Sequence, residues 1–162
     1  MDRSNNIYLT DDTSNRIRRV DGATGIIDTI AGIGPSTTGN FAGVEFCCDG
    51  ALATRARFTS PGSLAFDPDG NLLFVVSGRV CRIDKQGNLR TIAGIGQDGF
   101  SGDGGPATRA RIGPGAIAVD LGGNVFIAEF GNNQIRRVDA KSGIITTVGG
   151  NGLPRRPPPT TM

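Results

Sequence analysis

Asn6–Asp21 reads NIYLTDDTSNRIRRVD, and Asn124–Asp139 reads NVFIAEFGNNQIRRVD. The two stretches align without a gap. They agree at Asn6/Asn124, Ile17/Ile135, Arg18/Arg136, Arg19/Arg137, Val20/Val138 and Asp21/Asp139. A third copy lies between them, NLLFVVSGRVCRID from Asn71 to Asp84, two residues shorter in its central turn. The flanks repeat too: TGIIDTIAGIG at Thr24–Gly34, GNLRTIAGIG at Gly87–Gly96 and SGIITTVGGNG at Ser142–Gly152. A period of this size signals supersecondary units that bury their faces only on one another.

Within a unit four short apolar runs recur. They are GSLAFD (62–67), NLLFVV (71–76), RVCRID (79–84) and LRTIAG (89–94), then AIAVD (116–120), VFIAEF (125–130), QIRRVD (134–139) and IITTVG (144–149). Turn residues separate them, as in Asp67-Pro68-Asp69-Gly70 and Gly131-Asn132-Asn133. Short Val-, Ile- and Phe-rich runs between such turns are strands and hairpins. Gly is 26 of 162 residues and no window repeats apolar residues at helical spacing, so helices are not expected. Four-stranded units that are apolar on both faces predict an all-β fold, the blades of a β-propeller.

The pattern of Gly-Asn, apolar strand, Asn-Asn turn and Ile-Arg-Arg-Val-Asp resembles the NHL repeat. The connector Gly99–Ile112, GFSGDGGPATRARI, is similar to the loop of bacterial-type and teneurin-like NHL members. The resemblance implies a six-bladed propeller used for binding. Here the runs give eleven strands in units at about 2–61, 62–114 and 115–152, followed by a Pro-rich tail at 153–162. Six blades need about twenty-four strands. The chain is therefore expected to be a partial propeller, half a ring. Its first unit lacks the innermost strand, because Asp2–Asn6 aligns with Asp67–Asn71. Half a ring leaves apolar faces open, expected around Ile7, Leu9, Ile127 and Ile145; a larger gene product or a ring-closing dimer would cover them. The tail and the inserted loop Pro35–Asp49 are expected to be poorly ordered.

Charge is nearly balanced at +2, but fifteen Arg stand against two Lys and no His. No run approaches a membrane span and the N-terminus has no apolar segment, so no membrane partner is expected. Cys47, Cys48 and Cys81 make no disulfide framework, and Cys81 aligns with Arg18 and Arg136 inside a strand, which suits an inert thiol. Gly94–Gly99 matches a dinucleotide-binding glycine pattern, yet further glycines and Pro106 follow where a helix must open. Asp98 and Asp103 lack the spacing and terminal Glu of a calcium loop. No cofactor and no metal are expected.

The candidate ligand-contacting residues are Arg16, Arg18, Arg19, Arg136 and Arg137. Guanidinium groups gathered on one face bind phosphates or acidic peptides through paired, charge-assisted hydrogen bonds. Thirteen Asp can equally pair with them inside the repeat. One Tyr, eight Phe and no Trp leave little for base stacking. Without histidine there is no imidazole base, and the lyase members that the resemblance brings in depend on metal-binding histidines. Lactonase-like propellers, as the resemblance implies, hold calcium with central Glu and Asn or Asp ligands, and the only Glu residues are Glu45 and Glu129. The expectation is a non-catalytic interaction module binding a protein or glycan partner through its loops. Nucleic-acid binding through an Arg-rich face is the alternative, and lactonase- or lyase-like catalysis the third reading.

Overall fold

The computed structural model describes residues 1–34 and 49–153. The expectations about disorder fall on 35–48 and 154–162, outside the described residues, as do Cys47, Cys48 and Glu45. Eleven strands are present among the described residues. The first sheet holds β1 (Ile7–Asp11), β2 (Arg16–Val20) and β3 (Ile27–Ala31). The second holds β4 (Leu64–Phe66), β5 (Leu72–Val76), β6 (Arg79–Ile83) and β7 (Leu89–Ala93). The third holds β8 (Ala116–Val119), β9 (Val125–Glu129), β10 (Gln134–Val138) and β11 (Ile145–Gly149). Every pairing is antiparallel between chain neighbours, so each sheet is a simple meander. Among the described residues no helix is long and apolar enough to cross a membrane.

The turns repeat because the same side chains build them. Asp2, Asp67 and Asp120 each accept the backbone N–H of the Asn four residues on, at 2.8–3.0 Å, and the same aspartates accept its Nδ2 at 2.7–2.8 Å. This closes the turn before the second strand of each blade and explains why Asn6, Asn71 and Asn124 recur. At the opposite end Gly32, Gly94 and Gly150 follow the last strands with φ near +90°. A Cβ there would meet the backbone oxygen of Asn15, Gly78 or Asn133 in the hairpin alongside. Only glycine lets these two chain segments touch.

Strand alternation gives each blade two faces, and stacking buries them in two cores. Ile17, Phe58, Phe74, Cys81 and Leu89 fill the space between the first and second sheets. Leu73, Val80, Ile112, Ile127 and Ile145 fill that between the second and third. The connectors take part through one-turn 3-10 segments, Ala53–Arg55 and Ala107–Arg109, each with a buried alanine. Ala107 N–H reaches Gly143 O while Gly94 N–H reaches Ala107 O, so a connector stitches one blade to the next.

One expectation is corrected here. Ile127 and Ile145 are buried against the second blade rather than lying on an open face. The open face of the third blade carries the residues between them in the alternation, including Ile135 and Val148. Ile7 does stand exposed on the first blade.

Candidate functional site

The candidate arginines occupy equivalent strand positions and are held in three different ways. At the first position of the third strand in a blade, Arg16 Nη2 donates to Ile33 O at 3.3 Å and Arg79 Nη2 to Ile95 O at 2.8 Å. Their guanidinium groups lie on Gly34 and Gly96, where any Cβ would strike them. Arg16 thus ties the hairpin to the turn after the last strand.

Arg18 and Arg136 share the third position, and here the blades diverge. Arg136 is fully buried. Its Nη2 lies 2.6 Å from Asp103 Oδ1 and 3.0 Å from Ser101 O, and its Nη1 is 3.8 Å from Glu129 Oε1. The guanidinium also sits 4.8 Å from the Phe100 ring centroid. Arg136 therefore clamps the connector 100–111 onto the third blade; it is not at the surface. Glu129 is buried beside it and accepts Asn132 Nδ2 at 2.9 Å. Burial pushes the Glu129 carboxyl up, against the pull of Asn132 and Arg136. In the first blade Arg18 faces Asp11 at 4.0 Å, half-buried.

Arg19 and Arg137 take the fourth position, on the opposite sheet face. Arg19 Nη2 is 3.5 Å from Asp28 Oδ2. Arg137 Nη2 is 2.8 Å from both Asn124 Oδ1 and Asp139 Oδ2. Each of the four candidates Arg18, Arg19, Arg136 and Arg137 has an acidic partner. The partly exposed pairs of Arg18, Arg19 and Arg137 contribute modestly and fix geometry more than energy.

Arg82, the only basic residue that the middle unit keeps at these two positions, is the second blade's counterpart of Arg19 and Arg137. Its cross-strand neighbour is Arg90, where the first blade has Asp28. Among the described residues no carboxylate lies within ion-pair distance of Arg82. The signal was available in the alignment as a basic residue paired across strands with another. Arg82 lines a groove of about 560 Å³ between the second and third blades, on the side of the turns closed by Asp67 and Asp120. Asp69, Thr108, Leu121 and Asp139 also line it. Asp67 and Asp139 are engaged by their own turns, with Asn71 and Ser142 respectively. Cys81 lies away from the groove, in the core, and burial pushes its thiol up to about 12. Among the described residues no cluster of His, Cys, Asp or Glu is arranged to hold a metal ion.

Solved structures share the fold. A protein of unknown function from Bacteroides thetaiotaomicron matches 82% of the chain at 25% identity and TM-score 0.63. Virginiamycin B lyase from Staphylococcus aureus matches 88% at 20% identity and TM-score 0.52. A gluconolactonase from Xanthomonas campestris matches 90% at 13% identity and TM-score 0.53. The fold is a partial β-propeller. The chain spans 32%, 36% and 43% of the length of these three proteins. No family model and no curated protein matches the chain.

These likenesses correct the expectation that the chain is not an enzyme. The structural neighbours are mostly enzymes, a lyase and a gluconolactonase among them and also a luciferin-regenerating enzyme. That expectation rested on the absence of histidine from this chain alone. In a propeller a site assembled around the ring draws residues from several blades, so three blades without histidine do not decide the matter.

Proposed function

We propose that this chain is an NHL-type propeller segment that binds a partner, protein or glycan, through the turn-lined groove between its second and third blades. The observation that carries this reading is Arg82. Its counterparts Arg19 and Arg137 have carboxylate partners, whereas Arg82 faces Arg90 across the strand pair and lines the groove. Arg82, with no carboxylate within ion-pair distance among the described residues and a basic cross-strand neighbour, favours an acidic group from outside, which it would meet with charge-assisted hydrogen bonds. The partner is therefore one that presents carboxylate or sulfate groups. The described lining residues include no aromatic side chain, which gives bases nothing to stack on.

Chromatography on immobilised heparin and on a polyglutamate resin, with and without Arg82→Gln, tests the reading. Retention should fall about tenfold in apparent affinity in the variant, as expected for one lost charge-assisted contact. Equal retention of both proteins would remove Arg82 from binding. Stronger retention on single-stranded RNA than on either acidic resin would move the reading to nucleic acid.

A further inference from the structure

The repeat makes each face of each blade comparable with its counterparts. On the face turned toward the preceding blade, the third blade buries Val125, Ile127, Val138 and Ile145. The second blade buries Leu72, Phe74, Ile83 and Leu89 at the same positions. The first blade places Ile7, Leu9, Val20 and Ile27 there, and Ile7 is 48% and Ile27 46% exposed. On the face turned toward the following blade, the second blade buries Leu73, Val75 and Val80. The third blade has Phe126, Ala128 and Ile135 in their places, with Val148 where Ile92 stands. Ile135 is 46% and Val148 52% exposed, and a hollow of about 410 Å³ lies beside Ile135. One chain thus carries, on its two outer sides, both halves of another blade–blade interface, left open by the described residues.

We propose that these halves pair between two copies of the chain. The outer face of the third blade of one copy receives the outer face of the first blade of the other, and a two-fold axis generates the reverse contact. The occupant follows from the repeat: the surface that covers Val80 in the second blade is a blade face of the Val125–Val138–Ile145 type, and Ile7, Val20 and Ile27 form that face in apolar residues of similar size. Most charges there already have partners. Asp11 and Arg18 face each other at 4.0 Å, Arg137 is held by Asn124 and Asp139, and Arg16, at the edge of the first-blade face, donates to Ile33 O. Two such head-to-tail contacts close on themselves, which heterologous interfaces must do to avoid open filaments.

Analytical ultracentrifugation of the full chain over a concentration series tests this, with Ile135→Glu on one face and Ile27→Lys on the other. Both side chains are nearly half exposed, so neither change enters the core, and circular dichroism checks that each variant folds. The wild type should sediment as a discrete dimer. Each variant alone should raise the dissociation constant at least about 100-fold, because it buries an unpaired charge twice per dimer. Mixing the two should recover association, because the mixed dimer has one unaltered contact and one in which Glu meets Lys. A monodisperse wild-type monomer overturns the proposal. So does a polydisperse aggregate, a dimer indifferent to either substitution, or a mixture that stays monomeric.

Discussion

Glu129 and Arg136 lie diagonally across β9 and β10, 3.8 Å apart and both fully buried, while the same two positions in the second blade hold Val76 and Cys81, equally buried. The chain thus carries an ionic and an apolar solution to one packing problem. Replacing a buried pair by well-packed apolar residues is often neutral or stabilising, whereas removing one partner costs about 3–5 kcal/mol. Arg136→Cys alone should therefore destabilise by about that amount, leaving Glu129 unpaired. Glu129→Val with Arg136→Cys should recover most of it. The aspartate left behind is no obstacle: Asp49 already occupies the place of Asp103 in the second blade, bonded by Thr91 N–H as Asp103 is by Thr147 N–H. Urea unfolding of the three proteins decides it, and equal losses in the single and double variants would contradict the argument.

The Cys81 thiol should be silent in the folded protein. It is fully buried and its pKa is raised to about 12, so almost no thiolate forms near neutral pH. Iodoacetamide labelling followed by peptide mapping should leave the Cys81 peptide unmodified until denaturant unfolds the second blade. Labelling at the rate of a free thiol under native conditions would show that this core opens readily.

The strands were legible because the repeat printed each one two or three times, and the eight of the second and third blades fall within a residue or two of their apolar runs. Two things were not. Alternation shows that a strand has two faces but not which neighbour lies on which side, so Ile127 and Ile145 could not be told from Ile135 and Val148. The burial of Arg136 was also missed, because a pair of adjacent arginines looks solvated. The correcting signal lay in the alignment: Cys81 at the position of Arg136, with Val76 at that of Glu129, marks an interior site. The repeated Ala-Thr-Arg-Ala of the connectors held a similar hint, since Ala53, Ala56, Ala107 and Ala110 are all buried.

Gly94 and Gly104 separate backbone strain from steric exclusion. Both have positive φ, +90° and +79°. A Cβ on Gly104 meets nothing within 4 Å, whereas one on Gly94 would run into Gly78 O and lie 2.9 Å from Ile112 Cδ1. Gly104→Ala should cost only the left-handed backbone penalty, about 1–2 kcal/mol. Gly94→Ala should cost clearly more, because the hairpin and the strand end must move apart. Thermal unfolding of the two variants gives the comparison, and similar losses would mean that the hairpin yields freely.

Acid should unfold the protein through its turn aspartates. The Asn6 side chain holds the Asp2 carboxyl down at about 2, and the Ser142 backbone N–H does the same for Asp139, also at about 2. Asp21, Asp84 and Asp120 are lowered as well, by Thr24 N–H, Asn88 N–H and the Asn124 side chain respectively. A carboxyl whose folded value lies below its unfolded 3.8 supports folding fully above 3.8, and that support drains away as pH falls toward 2. Glu129 works in the opposite sense. Its raised value favours the folded state when protonated, below 4.5, and that contribution fades as pH rises through the folded value. Mild acidification from neutrality should thus leave stability level or slightly improved, with a steep loss only below 3.8. Urea midpoints measured across this range should trace that shape. Asp139→Asn, which keeps an oxygen for the Ser142 N–H but cannot ionise, should make the acid limb shallower, and a limb of unchanged slope would show that the turn aspartates are not what acid attacks.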